Sequence, residues 1–81
     1  MIQYRGIYAK IDLHGKSEIE AKIYLDQMLD SLPKEIVEVT ISHGYRLGNV
    51  LQNFVRKKYH HKKVLQKLIS VNPGETIFRI K

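Results

Sequence analysis

The chain has 81 residues, 43% hydrophobic and 27% charged, with a formal net charge of +6. That length fits a single domain across residues 1–81, and that balance is globular rather than disordered. The absence of cysteine excludes a disulfide framework, a thiol nucleophile and a Cys-based zinc site. No apolar run approaches a membrane span, and residues 1–10 lack the apolar centre of a signal peptide, so a cytoplasmic protein with no membrane partner is expected.

Residues 1–6 are expected to form an N-terminal arm ahead of the first element. Residues 7–13 alternate: Ile7, Ala9, Ile11 and Leu13 point one way, while Tyr8, Lys10 and Asp12 point the other. Period two predicts a half-buried strand and puts Asp12 and His14 on its polar side. Ser17-Glu18-Ile19-Glu20 then has the capping-box pattern that opens a helix. Ala21, Leu25, Met28 and Leu32 form its apolar stripe, widened by Tyr24 and Leu29, and Pro33 stops it. A second strand follows, with Val37, Val39 and Ile41 opposite Glu38, Thr40 and Ser42. Strand, helix and strand with short links predict a parallel βαβ unit with a right-handed crossover.

A second helix is expected from Gly48 or Asn49 to residues 57–59, with Leu51, Phe54 and Val55 buried. Residues 64–71 and 76–80 read as strands joined by the turn Asn72-Pro73-Gly74-Glu75, although the alternation in 64–71 does not show which face is buried. The expected fold is an α/β two-layer sandwich of order βαβαββ. Its four-stranded mixed sheet carries two helices on one face.

Two strand ends run into a His-Gly pair: Ile11-Asp12-Leu13-His14-Gly15 and Thr40-Ile41-Ser42-His43-Gly44. The C-terminal edge of a parallel sheet is where ligands usually bind. The plainer alternative is a pair of ordinary turns that use glycine for its backbone freedom. If the ends form a site, it offers an ionisable His beside a carboxylate, the parts of a general acid–base centre. An imidazole ordinarily changes charge near neutral pH, so His14 would serve as general base or acid and His43 as second proton carrier. Asp12 would orient His14 or hold a divalent ion such as Mg²⁺ or Mn²⁺ with the substrate. Otherwise Asp12 and His14 simply bond loop amides.

Charge is unevenly spread. Residues 1–38 carry five Lys/Arg and seven Asp/Glu, whereas residues 39–81 carry nine and one. The run Arg56-Lys57-Lys58-Tyr59-His60-His61-Lys62-Lys63 is a solvated basic face at the least. A one-signed potential of this kind also attracts polyanions, most commonly RNA or DNA. Arg56, Lys57, Lys58, Lys62 and Lys63 are therefore candidate phosphate contacts. Tyr45 and Tyr59 would stack on bases or anchor loops. No protein-only metal site is expected, because His60-His61 lacks the i,i+4 spacing of a chelating helix.

The first strand end with Ala21 and Leu25 behind it resembles the L-D-x-H-G motif of the small MutS-related (Smr) domain. His43-Gly44 leading through Gly48 into a helix is similar to that family's H/T-G-x-G motif, and Gly74-Glu75-Thr76 to its closing Gly-x-Thr strand. The resemblance spans essentially the whole chain. It implies a nucleic-acid-binding domain, in many members an endonuclease on DNA or messenger RNA, with several relatives acting at stalled ribosomes. Cleavage would fall to Asp12 and His14, and the loop from His43 and Gly44 would approach the phosphate backbone. One position departs: Arg46 stands where the family has its second glycine, and glycine returns at Gly48. Arg46 would hinder close backbone approach but offers a guanidinium fork to phosphate instead. Three readings follow: a nuclease, a non-cleaving RNA- or ribosome-binding module, and a basic protein-interaction domain.

Overall fold

The computed structural model describes residues 2–44 and 49–81. Five strands form one mixed sheet: β1 (Ile2–Arg5), β2 (Tyr8–Asp12), β3 (Glu38–Ser42), β4 (Val64–Ile69) and β5 (Glu75–Ile80), in spatial order β1-β2-β3-β5-β4. Helix α1 (Glu18–Asp30) links β2 to β3, and α2 (Val50–Asn53) runs on as a π-helical turn, Phe54–Lys58, before β4. β2 and β3 are parallel, as the βαβ pattern requires, and the other pairs are antiparallel.

The four-stranded expectation is corrected to five. Ile2–Arg5, read as an arm, pairs with β2 through a two-residue hairpin turn at Gly6-Ile7, where Gly6 adopts φ +63°. Ile7 precedes β2 and is 45% exposed rather than part of its buried row. Val37 is likewise exposed just ahead of β3, and both serve as backbone partners: Val37 N donates to Ile7 O at 2.9 Å.

The buried rows of the sheet are Ala9 and Ile11 on β2, Val39 and Ile41 on β3, and Thr76, Phe78 and Ile80 on β5. Against them pack Ala21, Leu25 and Leu29 of α1 with Phe54 and Val55. The capping box forms as expected. Glu20 N donates to Ser17 Oγ at 3.1 Å, and Ser17 N to Glu20 Oε1 at 2.9 Å. Such a cap stabilises by about 1 kcal/mol. The other end of α1 is capped from a distance, by Lys63 Nζ donating to Leu29 O at 2.6 Å and Asp30 O at 3.2 Å.

Two local departures have packing causes. The second helix widens at its end, where Tyr59 N donates to Phe54 O across five residues. This brings the Tyr59 ring into the core, 5.7 Å from Phe54 and 6.1 Å from Phe78, with its hydroxyl donating to Asp26 at 2.7 Å. The ambiguous alternation of the fourth strand includes a bulge between Val64 and Gln66, at its start, which shifts the phase of the side chains that follow.

Candidate nucleic-acid and catalytic site

The parallel pairing of Asp12 with Ser42, extended by Leu13 N donating to Ser42 O at 2.7 Å, delivers both His-Gly pairs to the same end of the sheet. There the two histidines part. His14 turns outward with its side chain 78% exposed. Its backbone N–H donates to Asp12 Oδ1 at 3.0 Å, and its ring Nδ1 lies 2.7 Å from the same oxygen. Burial works against the Asp12 charge, but the backbone N–H and ring of His14 outweigh it and hold the carboxyl below its ordinary range. An ionised carboxylate only accepts, so Nδ1 must carry the proton in this pair. Nε2 is then the nitrogen left to face a substrate. One oxygen of Asp12 thus meets both the loop amide and the ring of His14.

Around this dyad a shallow open depression is lined by Gln3, Lys10, Asp12, His14, Lys16 and Ser42. Lys10 and Lys16 bring positive charge to either side of Asp12. Lys10 Nζ pairs with Glu75 at 3.0 Å, and Lys16 Nζ stands 4.6 Å from the centre of the Tyr24 ring. Neither lysine is among the sequence candidates, although Lys10 shares the strand face of Asp12. Among the described residues no group of three or more His, Cys, Asp or Glu is placed to hold a metal ion. Asp12 is the one acidic side chain lining the depression where a divalent ion would meet substrate.

His43 turns inward and is 4% exposed. Its Nδ1 lies 3.0 Å from Gly44 O and its Nε2 lies 2.8 Å from Thr76 Oγ1. A carbonyl accepts only, so Nδ1–H donates to Gly44, and neutral Nε2 accepts from the Thr76 hydroxyl. Thr76 Oγ1 in turn accepts from Arg56 Nε at 2.8 Å, while Arg56 Nη2 donates to Glu75 O at 3.0 Å. Burial lowers the His43 pKa and outweighs the bond to Gly44, which favours the proton. The neighbouring Gly44 (φ +69°) meets the β4–β5 turn: His43 N and Gly44 N both donate to Gly74 O, at 2.9 and 3.0 Å. A Cβ on Gly74 would stand 3.3 Å from both Gly44 Cα and Asn72 Oδ1, tight enough that a neighbour would have to give by a few tenths of an ångström.

The basic run divides. Arg56 is spent on Thr76 and Glu75, and Lys58 pairs with Glu18 at 3.3 Å near the N-terminus of α1. His61 pairs with Asp30 at 2.8 Å and Lys63 caps the same helix end. That is the far end of α1 from the dyad, about 20 Å for 13 residues at 1.5 Å each. Lys57 and Lys62 are exposed. Tyr59 is an anchor in the core rather than a stacking surface. Tyr45, Arg46 and Gly48 lie outside the described residues.

No protein-family model matches the sequence, and no curated protein matches it. Among solved structures, the chain is similar to the crystal structure of the Smr domain of Thermus thermophilus MutS2. The TM-score is 0.73 at 21% identity, covering 89% of this chain and 96% of that one. The chain has the Smr fold. In this fold the Asp12–His14 pair stands at the sheet end where the two parallel strands finish.

Proposed function

We propose that this Smr-like domain binds nucleic acid and cleaves RNA at the Asp12–His14 dyad. The observation that carries this is the ring of His14, bonded to Asp12 through Nδ1, largely exposed, and set in a depression that Lys10 and Lys16 also line. Nε2 takes the proton of a ribose 2′-hydroxyl, and the oxygen attacks the adjacent phosphorus. The 5′-oxygen of the next nucleotide leaves, taking a proton from water, which yields a 2′,3′-cyclic phosphate and a 5′-hydroxyl end. Lys10 and Lys16 offset charge on the phosphate as it grows. Lys57 and Lys62 add long-range attraction for the polyanion.

The test is incubation of purified protein with a short single-stranded RNA, alone, with Mg²⁺ or Mn²⁺, and with chelator. Cleavage is expected in the parent and lost in His14→Ala, and also lost when the scissile nucleotide is 2′-deoxy. Activity that survives the deoxy substitution would overturn the 2′-hydroxyl route. Loss on chelation would mean that Asp12 holds an ion as well as the ring.

One observation favours a second reading, in which the domain binds without cleaving. His43, the candidate second proton carrier, is buried with both ring nitrogens engaged. Binding with no product in any arm would decide for that reading.

A further inference from the structure

Both helical segments pack on one face of the sheet, and the described residues place no layer on the other. Strand register lays out this open face row by row. Gln3, Lys10, Thr40, Ile77 and Leu68 stand side by side across the five strands. The next row is Arg5, Tyr8, Glu38, Arg79 and Gln66, and the row nearest the dyad holds Asp12, Ser42 and Glu75.

The charges on this face nearly cancel. Asp12 is held by His14 and Glu75 by Lys10, which leaves Arg5 and Arg79 around Glu38. A duplex offers phosphates and grooves, and a flat face of balanced charge is poorly matched to either. What the face does present is an aromatic ring, Tyr8, 51% exposed between Arg5 and Glu38, with neutral amides and hydroxyls from Gln3, Thr40 and Ser42 on the rows toward the dyad. Those are the groups that unpaired bases use, by stacking and by hydrogen bonds at their edges. The face is also continuous with the dyad. Tyr8 and Asp12 lie on the same side of β2, four residues apart, or about 13 Å at 3.3 Å per residue. Lys10, between them, lines the depression around His14.

We propose that the open sheet face is a platform for the unpaired bases of a single-stranded substrate. Tyr8 stacks on one base while a nearby phosphodiester lies at Asp12–His14. This rests on the dyad being a nucleic-acid site. It adds that the substrate is single-stranded and that Tyr8 carries much of the selection.

The chain has no tryptophan, so Tyr8→Trp introduces a unique indole whose emission reports stacking. Tyr4→Trp is the control, because Tyr4 is equally exposed but pairs with Ala9 and so faces the helix side of the edge strand. The probe is 2′-O-methyl oligoadenylate, which cannot be cleaved through a 2′-hydroxyl, and its duplex with oligouridylate. Tyr8→Trp should be quenched by the single strand while Tyr4→Trp is not. Tyr8→Ala should bind the single strand roughly tenfold more weakly than the parent, with Tyr8→Phe near the parent and duplex affinity unchanged.

Parent-like binding of the single strand by Tyr8→Ala, or an unquenched Tyr8→Trp at saturation, overturns the platform and leaves the dyad site standing. If the parent binds neither probe, the dyad site fails, and the platform with it.

Discussion

His14 and His43 follow parallel strands, precede glycines and reach the same end of the sheet, yet their environments are opposite. The His14 side chain is 78% exposed beside Asp12, while His43 is 4% exposed inside a chain of bonds through Thr76 to Arg56. What differs is the strand beyond each. β3 is an interior strand flanked by β5; Gly74 O, in the turn before β5, accepts from the His43 and Gly44 amides, and Thr76 of β5 donates its hydroxyl to the ring. β2 is flanked on its outer side by the short hairpin strand β1, and among the described residues the His14 side chain stays 78% exposed. Identical dipeptides thus meet opposite environments: one is left exposed beside a carboxylate, the other is bonded into the sheet end.

The largest effect that would sharpen this division is catalytic. His14→Ala should lower RNA cleavage roughly 100- to 10,000-fold, the usual range for a lost general base. Its folding free energy should stay within about 0.5 kcal/mol of the parent, as for an exposed residue. A His14→Ala protein that is clearly less stable in urea would erase the contrast.

His43→Ala should do the reverse. It empties a buried site and leaves Thr76 without its acceptor, so a loss of about 2–4 kcal/mol is expected from urea unfolding. An unshifted urea midpoint would show that the relay through Thr76 and Arg56 contributes nothing to the fold.

The pH dependence tests the protonation state of the same ring. Its folded pKa lies below the ordinary value of 6.5, so the unfolded chain binds the proton more readily. The stability His43 contributes is therefore present above about pH 6.5 and is lost as pH falls toward the folded pKa. The stability gap between the parent and His43→Gln should narrow as pH is lowered from 7 to 5. A gap that widens would place a charged imidazole in the core.

The smallest expected effect separates the two ends of the basic run. Lys57→Gln and Lys62→Gln should each flatten the log-log salt slope of nucleic-acid binding by about one unit at most. Changing Lys63 should instead destabilise α1, whose last carbonyls it caps. A salt slope that moves with Lys63 alone would reverse the assignment.

Much of the fold is written locally. The alternation in β2 and β3, the Ser17–Glu20 box, Pro33 and the Asn72–Glu75 turn each act over a few residues, and all of them form as their chemistry dictates. β1 was legible in principle, since Gly6-Ile7 between two alternating segments is a hairpin signal, but four residues at a chain start carry little pattern. The Asp12–His14 contact was legible because both sit on one side of one strand, two residues apart. Lys16 and Ser42 were not, because strand pairing and a turn bring them to the dyad from other elements.

The sequence by itself determined the order of elements from β2 onward, the buried positions Ala9, Ile11, Val39 and Ile41, and the placing of Asp12 and His14 on one side of one strand, since local geometry and side-chain period suffice for these. Only the tertiary structure decided that His43 is sealed, that Arg56 and Lys63 serve the fold, and that Tyr59 lies in the core. Burial and partner choice depend on which strand or helix lies alongside, and residues as far apart as Asp26 and Tyr59, or Leu29 and Lys63, meet only when the sheet closes.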